Sequence, residues 1–248
     1  MITLVSTQIG TAVGLLLVAV VLVGGGAWFI LSPEVGRVRI PRSRSALGKV
    51  VLKPPVLLAT IIGFLLIGAC SAVEVGVVAT FEHGSLAAGL VLAVFAVGSL
   101  AGGLSFGHIP IGPWAMARRL TIVTVGLALT MFSLNEFWLG GTLIVAGIGV
   151  APALAVLFAI TTASVKFSET AEAFGWAGTG QLIGAAAGSA VAGFLVDATD
   201  PRGAYLAATL FAAAGLVVSI VFVRSFPDLR HRDASPHPDT EPLAVTPS

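Results

Sequence analysis

The sequence predicts an all-α protein, a polytopic membrane helical bundle with seven transmembrane helices. Three observations lead to this prediction: an apolar composition, seven long windows without charge, and basic residues gathered on one side of those windows. Hydrophobic residues make up 56% of the 248 residues and charged residues only 10%, and the mean hydropathy is +1.02. Soluble domains carry about 25% charged residues, so this chain cannot cover itself with a water-exposed surface.

The charge-free windows have the length that a bilayer requires. A transmembrane helix needs about 20 apolar residues at 1.5 Å each, and helices satisfy their own backbone polar groups in lipid. The fourth window is the shortest, and it reaches this length if Arg118 and Arg119 extend to the interface. The windows are 1–33, 54–73, 83–117, 120–135, 137–165, 173–196 and 203–223, and we assign spans one to seven to 9–32, 55–80, 84–107, 118–136, 138–164, 174–197 and 203–224.

The basic residues orient the predicted spans. Every Lys and Arg except Arg202 falls on one side of them, and Lys and Arg concentrate in short cytoplasmic loops. We therefore expect a multi-pass protein of the cell membrane, with its N-terminus outside and its C-terminus in the cytoplasm. The residues on the predicted cytoplasmic side are Arg37, Arg39, Arg42, Arg44, Lys49, Lys53, Arg118, Arg119, Lys166, Arg224, Arg230 and Arg232.

The chain divides into four predicted segments. Residues 1–33 form a single N-terminal span, 55–224 form a six-helix unit, and 225–248, rich in Pro and charge, are predicted to be a disordered cytoplasmic tail. The segment 34–54 is basic and interrupted by prolines. It fits either a long loop held by anionic lipid headgroups or a linker between the two halves of a repeated transporter.

Two predicted spans carry glycines four residues apart. Small residues at this spacing share one helix face and allow two backbones to approach closely. Packing within the bundle and a seam between two copies of the chain both explain this pattern. The residues are Gly98, Gly102, Gly103 and Gly107 in span three, and Gly180, Gly184 and Gly188 in span six.

One acidic residue, Glu74, interrupts the apolar run of span two. A charged acid at the centre of a membrane costs about 2.5–3.5 kcal/mol on insertion scales, so it needs a partner, a proton or water. Three roles remain open: a neutral Glu74 bonds to a neighbouring helix, it lines a cavity and couples protons or substrate, or it points into wet headgroups. Cys70 and Ser71 precede it on the same helix face.

Few other polar residues lie at membrane depth. Gln181 and Thr179 in span six either face a cavity or make hydrogen bonds between helices. Glu169 and Glu172 are interpreted as solvated residues at the start of span six, where the helix dipole favours acids. Asp197 and Asp200, beside Pro201 and Arg202, are interpreted as a turn.

The sequence presents no catalytic or metal-binding pattern. A single cysteine, Cys70, excludes an internal disulfide and a thiolate metal cluster. The four histidines lie at predicted helix ends or in the tail, and no phosphate-binding loop is found. We therefore expect no enzyme activity, no cofactor and no nucleic acid partner.

Two segments resemble the major facilitator superfamily. The sequence VFAVGSLAGGLSFGH at 94–108, followed by MARRL at 116–120, is similar to that superfamily's eighth helix and the cytoplasmic loop after it. The sequence ETAEAFGWAGTGQLIGAAAGSAVAGFLVD at 169–197 is similar to its turn into helix eleven. The combination is most similar to bacterial sugar- or drug-efflux members. The likeness covers about 55–224, which would be helices seven to twelve, with span one as helix six.

The loop after the eighth helix departs from the superfamily pattern. That loop normally has an acidic residue and an Arg close after its first glycine, whereas 103–108 contains no acid. Of the residues in the superfamily's loop motif, only the basic ones have counterparts here, and these are Arg118 and Arg119. The usual charge contact between the two halves of the transporter therefore lacks its acid here.

The resemblance implies a transporter of twelve helices in two halves that bind substrate between them and rock against each other. Glu74 would lie in a helix that lines the substrate cavity. We therefore expect the C-terminal part of a secondary transporter of small solutes, with proton-coupled efflux. Its expected partners are the lipid bilayer, a small-molecule substrate, and a missing N-terminal half, a second copy or a partner subunit. The alternative is a non-transporting remnant, or a partner subunit that only packs in the membrane.

Overall fold

The computed structural model describes residues 11–32, 48–81, 85–231 and 234–238, and the regular structure of this part is helical. Within it, six helices, α2 to α7, are long and apolar enough to cross a membrane. The all-α prediction is confirmed, and each of the seven predicted spans coincides with one helix. The helices are α1 (Thr11–Leu31), α2 (Pro54–Thr80), α3 (Leu86–Phe106), α4 (Ala115–Leu129), α5 (Glu136–Ala163), α6 (Thr170–Ala198) and α7 (Arg202–Val221).

Local sequence signals explain where several helices begin. Pro54 opens α2, because proline suits the first helical turn, where its missing N–H is not needed. The Ser85 hydroxyl accepts a hydrogen bond from the Ala88 N–H at the start of α3. At the start of α5, the Asn135 Oδ1 accepts one from the Phe137 N–H. Both are side-chain N-caps that satisfy otherwise unpaired backbone donors.

Short connections make consecutive helices alternate in direction. Helices α2, α4 and α6 begin at the end of the bundle that carries Lys53, Arg118 and Lys166, which we call the basic end. Helices α3, α5 and α7 begin at the other end, which we call the opposite end. Two helices that begin at the same end run parallel, and this arrangement determines which residues meet.

The bundle consists of two three-helix units of opposite orientation, α2–α3–α4 and α5–α6–α7. The first helix of each unit packs most extensively on the second helix of the other, so that α2 lies along α6 and α5 along α3. Each first helix also packs on the third helix of the other unit. This pairing has the symmetry of an inverted repeat.

Glycines bring the paired helices into backbone contact. A methyl group on Gly180 would lie 2.6 Å from the Thr60 side chain of α2, and Gly184 and Gly188 face the backbones of Phe64 and Gly68. At Gly184 and Gly188 a larger residue would meet backbone atoms and force the two helices apart. The glycine face of α6 therefore packs within the bundle, against α2.

The second glycine pattern packs α3 against α5. A methyl group on Gly98 would lie 2.6 Å from the Ile144 oxygen, and Gly102 faces the backbone of Ile148. Gly103 is less crowded, because a methyl group there would lie 3.4 Å from its nearest neighbour, and Gly107 is the C-cap of α3. Only the first pair of this pattern is therefore in close contact with a neighbouring helix.

The core lies where α2, α4, α5 and α7 meet. Its largest fully buried side chains include Tyr205 of α7, Ile62 and Leu66 of α2, and Leu120 and Leu127 of α4. The Thr80 and Tyr205 hydroxyls are 3.1 Å apart and join α2 to α7 near the opposite end. In contrast, α1 makes no extensive contact with any other helix among the described residues.

The segment after α7 differs from the predicted disordered tail where the structure describes it. Phe226 and Leu229 are buried. The Leu229 N–H donates to the Ile111 oxygen in the α3–α4 connection, and the His237 N–H donates to the Val165 oxygen before α6. Composition suggested disorder because Pro and charge dominate the segment, yet two apolar side chains and these backbone bonds hold it against the basic end.

Part of the predicted organisation falls outside the described residues. This applies to most of the basic segment 34–54 and to the chain from 239 onward. The choice between a headgroup-bound loop and a linker between halves therefore stays a prediction. The residues concerned include Arg37, Arg39, Arg42, Arg44 and Arg232.

Candidate functional site

A groove between α2 and α6, near the opposite end, contains two carboxylates, Glu74 and Asp197. Its volume is about 400 Å³. Glu74 lies six residues before the end of α2 at Thr80, about 9 Å along the helix axis. Because α2 and α6 run parallel, the last two turns of both helices lie at the same end of the bundle, and both acids line the groove there. The remaining lining residues are Val75, Val78, Ala79, Gly193 and Val196.

Glu74 is exposed in the groove and has apolar neighbours on its own helix. Among the described residues, the only ion pairs are Lys53–Glu169 and Arg230–Asp228, so no cation balances this carboxylate. The other charged group of the groove, on Asp197, is also an acid. A carboxylate at this depth is therefore open to a proton, water or a cationic group that enters the groove.

Asp197 lies in the last turn of α6, which ends at Ala198, so the interpretation of Asp197 as part of a turn was wrong. The turn follows the end of α6 at Ala198, and in it the Asp200 Oδ1 accepts a hydrogen bond from the Arg202 N–H at 2.8 Å. Helix α6 extends further than the charge-free window suggested, because that window stops at the first acid. This extension places Asp197 on the wall of the groove.

The other predicted cavity residues lie apart from the two acids or make local contacts. Gln181 packs beside Gly63 of α2. Because Gly63 precedes Glu74 by eleven residues, Gln181 lies about 16 Å nearer the basic end than Glu74 does. Thr179 is exposed, and its hydroxyl donates to the Gly175 oxygen of its own helix at 2.8 Å. Ser71 is half-buried, one turn below Glu74. The structure thus brings Asp197, rather than Gln181 or Thr179, to Glu74.

A carboxylate clamp holds the basic end together, and it corrects the interpretation of Glu169 and Glu172 as solvated residues. The Glu169 Oε2 lies 2.6 Å from the Lys53 Nζ and accepts a hydrogen bond from the Lys166 N–H at 3.0 Å. The Glu172 Oε1 accepts one from the Gly48 N–H at 2.7 Å. The chain before α2 folds over the start of α6, which removes both acids from free solvation.

Arg118 and Arg119, predicted as basic loop positions that extend to the interface, lie in the first turns of α4, which begins three residues before the predicted span. Arg118 is exposed, but Arg119 is only 5% exposed. The Arg119 Nη1 is buried without a hydrogen-bond partner among the described residues. The reason is that α4 begins at Ala115 and packs closely there: a methyl group on Gly149 of α5 would lie 2.6 Å from the Arg119 oxygen.

The segment after α7 adds a third arginine to the same region. Arg230 lies beside Gly112 in the α3–α4 connection, and its Nε lies 2.9 and 3.0 Å from the two carboxylate oxygens of Asp228. The side-chain and backbone hydrogen bonds from Arg230 lower the pKa of Asp228 to about 2. Asp228 is therefore ionised at physiological pH and balances the charge of Arg230.

A model of the Major Facilitator Superfamily matches residues 119–245, half of the chain. The chain belongs to the Major Facilitator Superfamily. No curated protein matches it. The matched region runs from the first turns of α4 through α7 and includes Asp197, whereas Glu74 precedes it. The family assignment, together with six membrane-length helices, identifies a multi-pass membrane transporter of the major facilitator kind.

Sequence reasoning missed three features of these sites. The position of Asp197 in the groove was missed because this acid was read as part of a turn and not as part of α6. The Lys53–Glu169 ion pair joins residues 116 positions apart, and no local pattern reports such a contact. Arg230 lies in a segment that composition marks as disordered. In each case the missing information is which elements lie side by side.

Proposed function

We propose that this major facilitator transporter is a proton-coupled secondary carrier that exports small solutes, and that the Glu74–Asp197 groove is its coupling site. The observation that carries the proposal is an acid about 9 Å from the end of α2 with no cation beside it among the described residues. An acid in this setting is neutralised most simply by a proton. The likeness of 94–108 and 169–197 to efflux members supports the direction of transport.

Two acids in one groove suit an exchange of protons for a solute. Both carboxylates line the same groove, so a proton or a cationic solute that enters it meets both acids. A proton or a cationic substrate therefore stabilises the same pair, and the two compete for it. Competition of this kind couples inward proton movement to outward solute movement.

We further propose that the chain works as one half of a carrier, with α2 to α7 as the C-terminal half and a second six-helix unit against α3 and α6. A methyl group added to Gly175, Gly178 or Gly193 of α6 would meet no atom of another helix within 4 Å among the described residues. Small residues on an uncovered helix face allow another helix to approach closely. Apolar side chains beside them, such as Leu182 and Phe194, are more than 70% exposed and would be covered by the second unit.

The experiment is transport in vesicles with an imposed pH gradient. The protein is reconstituted together with the second half, supplied from the complete gene or as a separate chain. We expect Glu74→Gln to abolish proton-driven export and Asp197→Asn to reduce it, because the amides keep the shape of the acids but cannot release a proton. Glu136→Gln is the matched control, since Glu136 is an exposed acid at the same end that begins α5.

Each outcome bears on a different part of the proposal. Export by Glu74→Gln at the wild-type rate would reject proton coupling through this groove. Export by the chain alone, at the rate measured with the second half, would reject the half-carrier arrangement. No export from a folded assembly, with any of a panel of solutes, would favour the remnant or the subunit that only packs in the membrane.

A further inference from the structure

A cavity of about 410 Å³ lies at the basic end, between the α3–α4 connection and the first turns of α4. It is separate from the Glu74–Asp197 groove, which lies near the opposite end. Its apolar wall includes Phe106, Trp114 and Ile122, and its charged wall consists of three arginines, Arg118, Arg119 and Arg230. No acidic residue is among the described residues that line it.

Arg119 is the buried member of this set. It is 5% exposed, and its Nη1 has no hydrogen-bond partner among the described residues. Buried guanidinium groups in proteins are normally paired with an anion and hydrogen-bonded. Arg119 belongs to the wall of a cavity large enough for a ligand, so an anion in that cavity could supply the missing acceptor.

The start of α4 favours the same charge. Its N-cap residue, Trp114, makes no side-chain cap hydrogen bond, and no acid lies in the first turn. The first N–H groups of a helix carry a partial positive charge and bind anions readily. Pro113, Trp114 and Ala115 line the cavity, so this helix terminus and the Arg119 side chain belong to the same site.

Arg230 closes the cavity from the segment after α7. Its Cδ and Nε lie within 3.4 Å of the position that a methyl group on Gly112 would occupy. Asp228 balances the charge of Arg230 by accepting three side-chain hydrogen bonds from it. The charges of Arg118 and Arg119 are left without a partner among the described residues. The site therefore has a net positive charge in a partly enclosed setting, with both polar and apolar walls.

We propose that this cavity binds a phosphate group, held by Arg119 and the N-terminus of α4, with Arg118 and Arg230 at its edge. Guanidinium groups match the geometry of phosphate oxygens and bind two of them at once. Arg119 lies four residues after the start of α4, about 6 Å along its axis, a depth that a lipid headgroup reaches. Either a phospholipid headgroup or free inorganic phosphate supplies this chemistry.

The experiment measures phosphate binding by the full chain, purified in detergent and stripped of lipid. Inorganic phosphate is titrated while the thermal unfolding midpoint is followed, and phosphatidylglycerol binding is measured by native mass spectrometry. We expect Arg119→Gln to weaken binding of the preferred ligand about tenfold or more, as loss of a charge-assisted contact predicts. The matched control is Arg224→Gln, which removes an exposed charge at the basic end outside the cavity and should change binding about twofold or less.

The two ligands distinguish the sources, and a second variant covers a failure to fold. Binding of phosphatidylglycerol alone assigns the site to a headgroup, and binding of inorganic phosphate alone assigns it to the free ion. If Arg119→Gln does not fold, Arg230→Gln changes an exposed side chain and should still weaken binding relative to Arg224→Gln. A wild-type chain that binds neither ligand, or cavity variants that bind like Arg224→Gln, would overturn the proposal.

Discussion

At the scale of single residues, the glycines of α6 have two distinct surroundings. Gly184 and Gly188 face backbone atoms of α2, whereas a methyl group on Gly175 would have nothing within 4 Å. The same substitution must therefore have opposite consequences along one helix. Added volume in a closely packed interface forces the backbones apart, and added volume at an open position displaces nothing.

We predict that Gly184→Ala lowers the free energy of unfolding by about 1–3 kcal/mol, the usual range for overpacking. Gly175→Ala is the matched control and should be neutral or slightly stabilising, because alanine is the better helix former. The measurement is unfolding of the purified chain in mixed micelles, followed by circular dichroism. Equal stability of the two variants would show that α2 and α6 are not in backbone contact at Gly184.

The residues of the candidate sites could be predicted only in part from the sequence. The depth of Glu74 follows from counting along a charge-free window, because helical rise is regular. The burial of Arg119 does not, since it depends on which face of α4 another helix covers. Asp197 joins Glu74 only through the parallel alignment of α2 and α6, a contact between residues far apart in the chain.

At the scale of elements, the start of α6 depends on a carboxylate that serves two helices. Glu169 caps the Lys166 N–H and pairs with Lys53, which precedes α2. Val50, Val56, Val165 and Ala173 form a small apolar cluster in the same region. Polar and apolar contacts together hold the segment 48–53 against α6.

We predict that Glu169→Ala destabilises the chain by about 1–2 kcal/mol, through a lost cap and a partly exposed ion pair. It should also increase tryptic cleavage after Lys49, because the segment before α2 is released from α6. The rate of cleavage in detergent, measured by mass spectrometry of the fragments, tests this. Glu136→Ala removes an acid at the opposite end and should leave the rate unchanged; a Glu169→Ala rate equal to that control would contradict the clamp.

The helices themselves were predictable because lipid imposes both length and composition. Each charge-free window had to cross the bilayer as a helix, since no other open-chain structure satisfies the backbone there. The ends were less predictable. Charged residues are tolerated in the first turns of a helix, so α4 begins at Ala115 rather than at 118, and α6 begins at Thr170 rather than at 174.

At the scale of the whole molecule, charge divides the bundle into two unlike ends. Lys53, Arg118, Lys166 and Arg230 lie at the basic end, whereas Arg202 begins α7 at the opposite end. Because basic loops usually remain in the cytoplasm, this asymmetry predicts that the basic end faces the cytoplasm. The architecture was predicted from this pattern and from the resemblance, but the pairing of helices needed the structure.

We predict that the basic end faces the cytoplasm. In a Cys70→Ala background, the variant Ser45→Cys should react with a membrane-impermeant maleimide only after the cells are opened. A cysteine at Thr199, in the turn before α7, is the matched control and should react in intact cells. The reverse result would invert the orientation and place the phosphate cavity outside.

The backbone contact between α2 and α6 also limits how the groove can open. Sliding one helix along the other would drive the side chains next to Gly184 and Gly188 into carbonyl groups. The two helices should therefore tilt together as one rigid body. Glu74 lies on α2 and Asp197 on α6, so we expect the spacing between the two acids to stay constant in any movement of the proposed carrier. In the proposed carrier, exposure of the groove to one compartment or the other would then depend on the elements that cover α2 and α6, and the two acids would need no rearrangement.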